Sequence, residues 1–217
     1  MGSFRLLIQL SFTLEWRERS GIFNTLLYAL ATAYIASLAL GQSTGAQVWS
    51  GLMWFLMLFN AITASSGSFR HEAGHRYAYY QQLVDPAALF LAKWVYNVIY
   101  GLLLGVLQFV LLYFFIGSPG GEIFLFLIQI ASGALGLMGV LTLTSGIAAL
   151  SGNNVSLMAI LSFPLLIPVL LIGLRGSVLA ALGASWSEVL PYVGGNLGMS
   201  ALAAGMGYLL FPYLWRD

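Results

Sequence analysis

FRHEAGHRYAYYQQLVDPAALFLAK, residues 69–93, is the longest polar interruption in a chain that is otherwise almost continuously apolar, and it contains both histidines. The chain is 60% hydrophobic and 7% charged, whereas a soluble domain carries about 25% charged residues. No aqueous surface could be built from such a composition, so most of the chain must have lipid as its solvent. The polar stretch therefore lies outside the lipid, between two groups of apolar segments.

These apolar segments predict an all-α membrane protein. A helix needs roughly 20 apolar residues to cross a bilayer, and the continuous runs lack the alternation of a lipid-facing barrel strand. Little chain remains between the runs, so residues 1–217 form a single membrane domain without room for a soluble one. Six transmembrane helices are expected, at about 22–40, 49–67, 89–116, 122–150, 156–174 and 190–212.

Residues 1–20 predict an interfacial helix that lies on the membrane before the first span. Phe4, Leu7 and Ile8 share one face of such a helix, while Trp16 and the charges beside it suit the headgroup region. The segment is not a cleavable signal peptide, because its charges stand at the far end and no small-residue cleavage site follows. A frayed N-terminal tail is the alternative.

The positive charges predict the orientation, since Lys and Arg collect on the cytoplasmic side of short loops. With both termini inside, only Arg175 of the eight basic residues falls outside, in an outer loop at 175–189. Lys93, Glu122 and Glu188 stand at span ends, within snorkelling reach of water. With no charge at mid-membrane, the energy for any transport is expected to come from elsewhere.

Small residues four apart predict close helix contacts in the third, fourth and sixth spans. The third span contains Gly101-x-x-x-Gly105 and the fourth contains Ser132-x-x-x-Gly136. The sixth span has the largest set of such residues, which are Gly194, Gly198, Ala201 and Gly205. Pro164 and Pro168 both fall inside the fifth span. Each removes a backbone hydrogen bond, so that helix is predicted to bend or break there.

His71-Glu72-Ala73-Gly74-His75 matches the zinc-protease pattern H-E-x-x-H. On a helix, the two imidazoles would share a face and Glu72 would activate a metal-bound water. A catalytic zinc needs a third protein ligand, and the chain offers neither a third histidine nor a cysteine. The competing interpretation is a short amphipathic helix, with Tyr77, Tyr79 and Tyr80 on its apolar side, that docks onto a cytoplasmic partner.

Nucleotide hydrolysis within this chain is excluded by sequence. A P-loop needs Gly-x-x-x-x-Gly-Lys-Ser/Thr, and the only lysine, Lys93, follows Ala92 and precedes Trp94. An ATPase that drives this protein would be a separate chain. No basic cluster indicates nucleic-acid binding, and the absence of cysteine excludes a thiolate metal site or a haem attachment motif.

Two segments resemble the haem exporter protein B family (CcmB), the membrane subunit of the ABC complex for cytochrome c maturation. Phe163-Pro164-Leu165-Leu166-Ile167-Pro168-Val169-Leu170-Leu171-Ile172 is close to that family's Leu-Pro-Leu-x-Ile-Pro-x-Leu-Ile signature. Phe69-x-x-Glu72-x-Gly74 through Leu91-Ala92-Lys93 is similar to its cytoplasmic loop. The chain departs from the family at His75-Arg76-Tyr77 and at Val84-Asp85-Pro86. It also departs at Gly152-Asn153-Asn154, where other members of the family commonly have basic residues.

The resemblance implies an ABC-type permease in the bacterial inner membrane, with no catalytic, cofactor-binding or metal-binding residue of its own. Two copies would pair, ATP would be bound by a cytoplasmic ABC ATPase subunit, and the complex would work beside a haem-handling membrane protein and a periplasmic haem chaperone. The ATPase would dock on a cytoplasmic coupling helix at 69–86, between spans 2 and 3, through Arg70, Glu72, Gly74, Arg76, Tyr79, Tyr80 and Asp85.

Three functions remain open from the sequence. The first is haem export, or the ATP-driven release of a haem-loaded periplasmic chaperone. The second is an ABC exporter permease for another substrate, such as a lipid, polysaccharide or drug. The third is the membrane zinc protease of the H-E-x-x-H pattern.

Overall fold

The structure is a computed structural model that describes residues 6–9, 13, 19–40, 44–69, 84–150 and 155–214. Within these ranges the elements are all helices: α1 Arg19–Leu40, α2 Ala46–Ser65, α3 Pro86–Ile116, α4 Ile123–Leu150, α5 Val155–Ala181 and α6 Trp186–Leu214. All six are long and apolar enough to cross a membrane. The expected all-α membrane fold with six spans is confirmed. We call the end of the bundle that holds Phe69 and Pro86 the inner end, and the opposite end the outer end.

The predicted interfacial helix falls mostly outside the described residues. Residues 6–9 and 13 have helical backbone. Leu7 is 8% exposed and belongs to the core cluster of the protein, and Ile8 packs against that cluster. This short piece therefore contacts the bundle, while the interfacial helix as a whole stays a prediction.

The predicted outer loop at 175–189 is wrong. α5 continues to Ala181 and α6 begins at Trp186, so only residues 182–185 connect them. Arg175 lies within α5 with an exposed side chain. A long arginine side chain near a helix end can reach the headgroups from inside a span, which is why the charge does not end the helix.

Helix α4 is the centre of the bundle. It packs against α2, α3, α5 and α6, most extensively against α6. In its membrane-spanning stretch 67% of the residues are buried inside the protein, compared with 17% in α1. Its small residues allow this: a methyl group at Gly136 would come within 2.9 Å of Val169 Cγ1 and 3.3 Å of the Asn196 carbonyl oxygen. The predicted close contact at Ser132-x-x-x-Gly136 is thereby confirmed.

The predicted close contact at Gly101-x-x-x-Gly105 in α3 is also confirmed. A methyl group at Gly101 would overlap Met138 of α4, and one at Gly105 would lie 3.1 Å from Ile130 Cγ2 of the same helix. Backbones can approach closely at such positions because no side chain stands between them. In lipid the hydrophobic effect does not drive helices together, so this close packing is a main source of helix association.

Buried side-chain hydrogen bonds join the helices across the membrane interior. Asn60 Nδ2 of α2 donates to Gln108 Oε1 of α3 at 2.9 Å. Trp54 Nε1 of α2 donates to Ser177 Oγ of α5 at 2.9 Å. Polar groups in a lipid environment must find partners within the protein, so these pairs fix which helices are neighbours.

The outer end is closed by short turns. Trp49 Nε1 donates to the Gly117 carbonyl at 3.0 Å, and the Glu122 N–H donates to the Ala180 carbonyl at 3.1 Å. Gly121 between these contacts has φ +56, and a side chain there would collide with the backbone of residues 180–181. The loop after α3 is thus tied to the end of α5.

Candidate functional site

The polar stretch singled out by the sequence begins at Phe69, and we call its part at 70–83 the polar segment. Two described residues flank this segment at the inner end, Phe69 before it and Val84 after it. Residues 70–83 lie outside the described residues. Six of the predicted docking residues fall there, so their contacts are not described: Arg70, Glu72, Gly74, Arg76, Tyr79 and Tyr80. The histidines of the zinc hypothesis, His71 and His75, fall there as well.

Asp85, the seventh predicted docking residue, starts a helix. It is exposed and has extended backbone (φ −66, ψ 121), and its carboxylate accepts a hydrogen bond from the Ala88 N–H at 3.2 Å. Pro86 follows at the first helical position, where its missing N–H costs nothing and its fixed φ suits the helix. Asp85 therefore caps α3, and a docking role for its exposed face stays a prediction.

Phe69 begins an aromatic cluster buried at the inner end, which we call the inner aromatic cluster: Phe69, Phe90 and Phe211. Phe69 is 2% exposed, and its ring centroid lies 5.6 Å from that of Phe211 in α6. Phe211 lies 5.5 Å from Phe90 in α3. These are ordinary separations for interacting aromatic rings, so the residue before the polar segment is held by side chains from two helices.

Two glycines make room for this cluster. A methyl group at Gly146 of α4 would come within 2.9 Å of the Phe211 ring and 3.4 Å of the Phe69 ring. One at Gly207 of α6 would overlap the Phe90 ring. The rings are therefore seated directly on the backbones of α4 and α6.

The side chain of Ser68, the residue before Phe69, is also hydrogen-bonded into the bundle. Ser68 Oγ donates to Asn97 Oδ1 of α3 at 2.9 Å, and Asn97 Nδ2 donates to Thr142 Oγ1 of α4 at 2.9 Å. All three side chains are buried. Since Asn97 lies about 16 Å along α3 from Pro86 at 1.5 Å per residue, α3 extends well beyond the level at which α2 ends.

Lys93 does not reach water as the sequence suggested. Its side chain is 1% exposed, and its Nζ lies 6.0 Å from the centroid of the Phe69 ring, about the limit of a cation–π contact. α3 begins at Pro86, so Lys93 lies about two turns inside the helix rather than at its end, and its side chain is on the buried face. Lys93 therefore places a buried basic side chain beside Phe69.

The two prolines of the predicted bend lie inside one uninterrupted helix, α5. A break at Pro164 or Pro168 is therefore wrong, whereas a bend stays a prediction. Pro164 is exposed and Pro168 is partly exposed; a proline can be accommodated within a membrane-spanning helix without ending it.

The same stretch of α5 borders an apolar groove of about 150 Å³ against α2, lined among others by Leu58, Ile62 and Phe163.

The small residues predicted to pack in the sixth span face away from the rest of the chain. Gly194, Gly198, Ala201 and Gly205 are all exposed, and a methyl group at any of the three glycines would meet no atom within 4 Å. The three glycines therefore have no close neighbour among the described residues, and close helix packing at the four positions stays a prediction. The buried stripe of α6 is displaced around the helix and contains Asn196, Ser200, Ala203 and Gly207. Asn196 and Ser200 lie against Gly136 and Gly139 of α4, and Gly207 lies against Phe90 of α3.

Sequence reasoning found the polar segment and missed what holds it. Phe69 stood in the quoted motif as its first residue, which could have indicated an anchor. Phe90 and Phe211 lie in long apolar runs where every residue suits lipid, so nothing in the sequence separates them from their neighbours.

Comparison with known families gives one match. The model of the family described as CcmB protein matches residues 3–206, which is nearly the whole of the 217-residue chain. No curated protein matches the chain.

Proposed function

Because this chain belongs to the CcmB family, which supplies a membrane component of the haem export and cytochrome c maturation ABC system, we propose that it is the permease on which a cytoplasmic ABC ATPase docks. The docking residues lie in the coupling segment 69–86 after its first residue, Phe69, and they are Arg70, Glu72, Gly74, Arg76, Tyr79, Tyr80 and Asp85. The ATPase hydrolyses ATP, and the permease passes on the resulting movement. In this proposal two copies of the chain pair in the bacterial inner membrane, with both termini in the cytoplasm.

The observation that carries this proposal is the attachment of the polar segment at the inner end. Phe69 is buried against α6, and Asp85 caps α3. The longest polar stretch of the chain is thus joined at both ends to helices of the bundle. A segment attached in this way suits a partner that pulls or pushes on it, because displacement is not lost in a flexible linker.

Charge supports a cytoplasmic partner at this end. Arg70 and Arg76 lie in the segment, and Lys and Arg concentrate on the cytoplasmic side of short loops. The chain has no phosphate-binding loop around its single lysine. ATP must therefore be hydrolysed by the docked subunit and not by this one.

The outer loops favour ATP-driven release of a haem-loaded chaperone over passage of haem through this subunit. Ferric haem takes His, Met, Cys or Tyr as axial ligand. The connections at 41–45, 117–122 and 182–185 contain none of these residues, and both histidines lie in the polar segment. In this proposal the permease moves, and the haem stays with the haem-handling membrane protein and the periplasmic chaperone.

Charge reversal tests the docking surface. Arg70→Glu together with Arg76→Glu is expected to lower the amount of ATPase that co-purifies with the permease. The introduced glutamates would repel the acidic groups of the ATPase that the two arginines attract. Arg175→Glu, in α5 toward the outer end, is the matched control and should leave the ATPase bound. If the ATPase stays bound when the whole of 70–83 is scrambled, docking at this segment is wrong.

The physiological role has its own test. Deletion of the chain should abolish c-type cytochromes while leaving b-type cytochromes in place. A deletion strain that makes c-type cytochromes normally and instead loses export of a lipid, a polysaccharide or a drug would support the other class of ABC exporter.

A further inference from the structure

We infer that Phe69 is the positioning residue through which movement of the polar segment enters the bundle, and that the inner aromatic cluster distributes it to α3, α4 and α6. The inference rests on the proposed docking of an ATPase at residues 69–86. It goes further by naming the joint between the docking segment and the spans, and by naming the helices that move with it.

The first support is the number of helices that one side chain contacts. The Phe69 ring packs on Phe211 of α6 at 5.6 Å and lies close to Gly146 of α4, where a methyl group would be 3.4 Å away. Through Phe211, the ring is linked to Phe90 of α3 at 5.5 Å. Close-packed interiors transmit displacement because few voids can absorb it, so Phe69 cannot shift without moving its neighbours.

The second support is the stiffness of the chain immediately before Phe69. The Ser68 N–H donates to the Ser65 carbonyl at 3.1 Å, and the Ser68 hydroxyl begins the buried hydrogen-bond chain to Asn97 and Thr142. The N–H bond holds the turn that follows α2, and the hydroxyl bonds tie the Ser68 side chain to α3 and α4 next to the buried ring. The joint is therefore fixed by main chain and side chain together.

The third support is the contrast with the other end of the segment. Asp85 is exposed, and its hydrogen bond to the Ala88 N–H lies within the first turn of α3. Force applied at Asp85 acts on α3 directly. Force applied at Phe69 acts on three helices, including α4 and α6, which form the most extensive helix pair of the bundle.

The experiment compares two equally buried phenylalanines. Phe69→Ala removes the joint, whereas Phe126→Ala removes a ring that is 0% exposed and packs on Trp49 at 5.1 Å in the outer half of the bundle. Phe69→Leu and Phe126→Leu form a milder pair for use if the alanine variants fail to fold. Each variant is produced in the complete complex with its ABC ATPase, and we measure the Tm, the co-purified ATPase, the ATP hydrolysis rate and the yield of c-type cytochrome.

We expect both substitutions to lower the Tm by similar amounts, because each empties a site of the same size. Only the substitution at Phe69 should uncouple the complex: the ATPase remains bound and hydrolyses ATP, while cytochrome yield per ATP falls roughly fivefold or more, the range of a lost coupling between sites. Phe211→Leu, on the other side of the same contact, should reproduce this pattern. Phe69→Tyr, which keeps the ring, should retain coupling.

The possible contrary results separate the two proposals. If the wild-type chain binds no ATPase, both the docking proposal and this inference fail. If the ATPase binds but the Phe69 variants couple as well as the Phe126 variants, only this inference fails. If Phe69→Ala loses the ATPase itself, Phe69 belongs to the docking surface, and its role as a joint is wrong.

Discussion

At the residue scale, this bundle is held by aromatic rings seated in glycine slots. The Trp54 ring of α2 lies between Gly133 of α4 and Gly173 of α5, and a methyl group at either glycine would overlap it. The indole Nε1–H donates to Ser177 at 2.9 Å, so the slot and the hydrogen bond require the same ring position. Trp54 therefore fixes α2 in the cleft between α4 and α5.

Gly133→Ala tests this slot. The added methyl group must displace the Trp54 ring or separate the helices, and overpacking of this kind costs about 1–3 kcal/mol of stability. Gly51→Ala is the control on α2, because a methyl group there meets no atom within 4 Å and alanine is a better helix former than glycine. The free energy of unfolding in detergent should fall for Gly133→Ala and not for Gly51→Ala; equal values would contradict the slot.

At the element scale, α6 shows what the sequence could and could not predict. Its length and position follow from apolar composition, and its small residues correctly indicate a helix built for close approach. Which small residues make that approach did not follow, because both stripes of α6 carry glycine. Gly198 and Gly205 are exposed, whereas Gly207 lies against Phe90 and Ser200 lies against Gly139. In a helix that is apolar all round, no polar face marks the outside.

Two glycines of α6 that stand two residues apart make this difference measurable. Gly207→Ala is expected to destabilise the chain by about 1–3 kcal/mol, because its methyl group would overlap the Phe90 ring, which is 0% exposed. Gly205→Ala should leave the stability of the isolated chain unchanged or slightly raised. Unfolding of both variants under one set of conditions measures the difference, and greater damage from Gly205→Ala would mean that α6 is turned the other way.

Two sequence predictions about helix ends, at Arg175 and at Lys93, were wrong because charge was used to place them. The sequence placed a helix end at Arg175 because charge usually leaves lipid, yet α5 continues to Ala181. It placed Lys93 near water because this lysine stood at the start of an apolar run, yet α3 begins at Pro86 and Lys93 is buried. The exposed Arg175 can carry its charge towards the headgroups along its own side chain, whereas Lys93 is buried beside Phe69. A charged residue therefore locates a helix end only to within about two turns.

At the scale of the whole molecule, the two ends of the bundle differ in construction. The outer end is closed by short connections such as residues 117–122 and 182–185, with Trp49 bonded to Gly117. The inner end carries the long polar segment between α2 and α3 together with its aromatic joint. This difference is consistent with the proposed docking of a cytoplasmic ATPase at the inner end.

The proposed orientation follows from the distribution of Lys and Arg. It can be measured directly, because the chain contains no cysteine. Ser118→Cys and Ser185→Cys lie in the outer connections and should react with a membrane-impermeant maleimide in intact cells whose outer membrane has been opened. Asn153→Cys, between α4 and α5, should react only after the inner membrane is broken, because six spans and inner termini place it in the cytoplasm. Ser118 and Ser185 are exposed, and exposed positions of this kind tolerate substitution well, so these two variants should still produce c-type cytochromes. Labelling of Asn153→Cys in cells with an intact inner membrane would show that the topology is the reverse of the proposed one. The polar segment would then lie outside the cytoplasm, where no cytoplasmic ATPase could bind it.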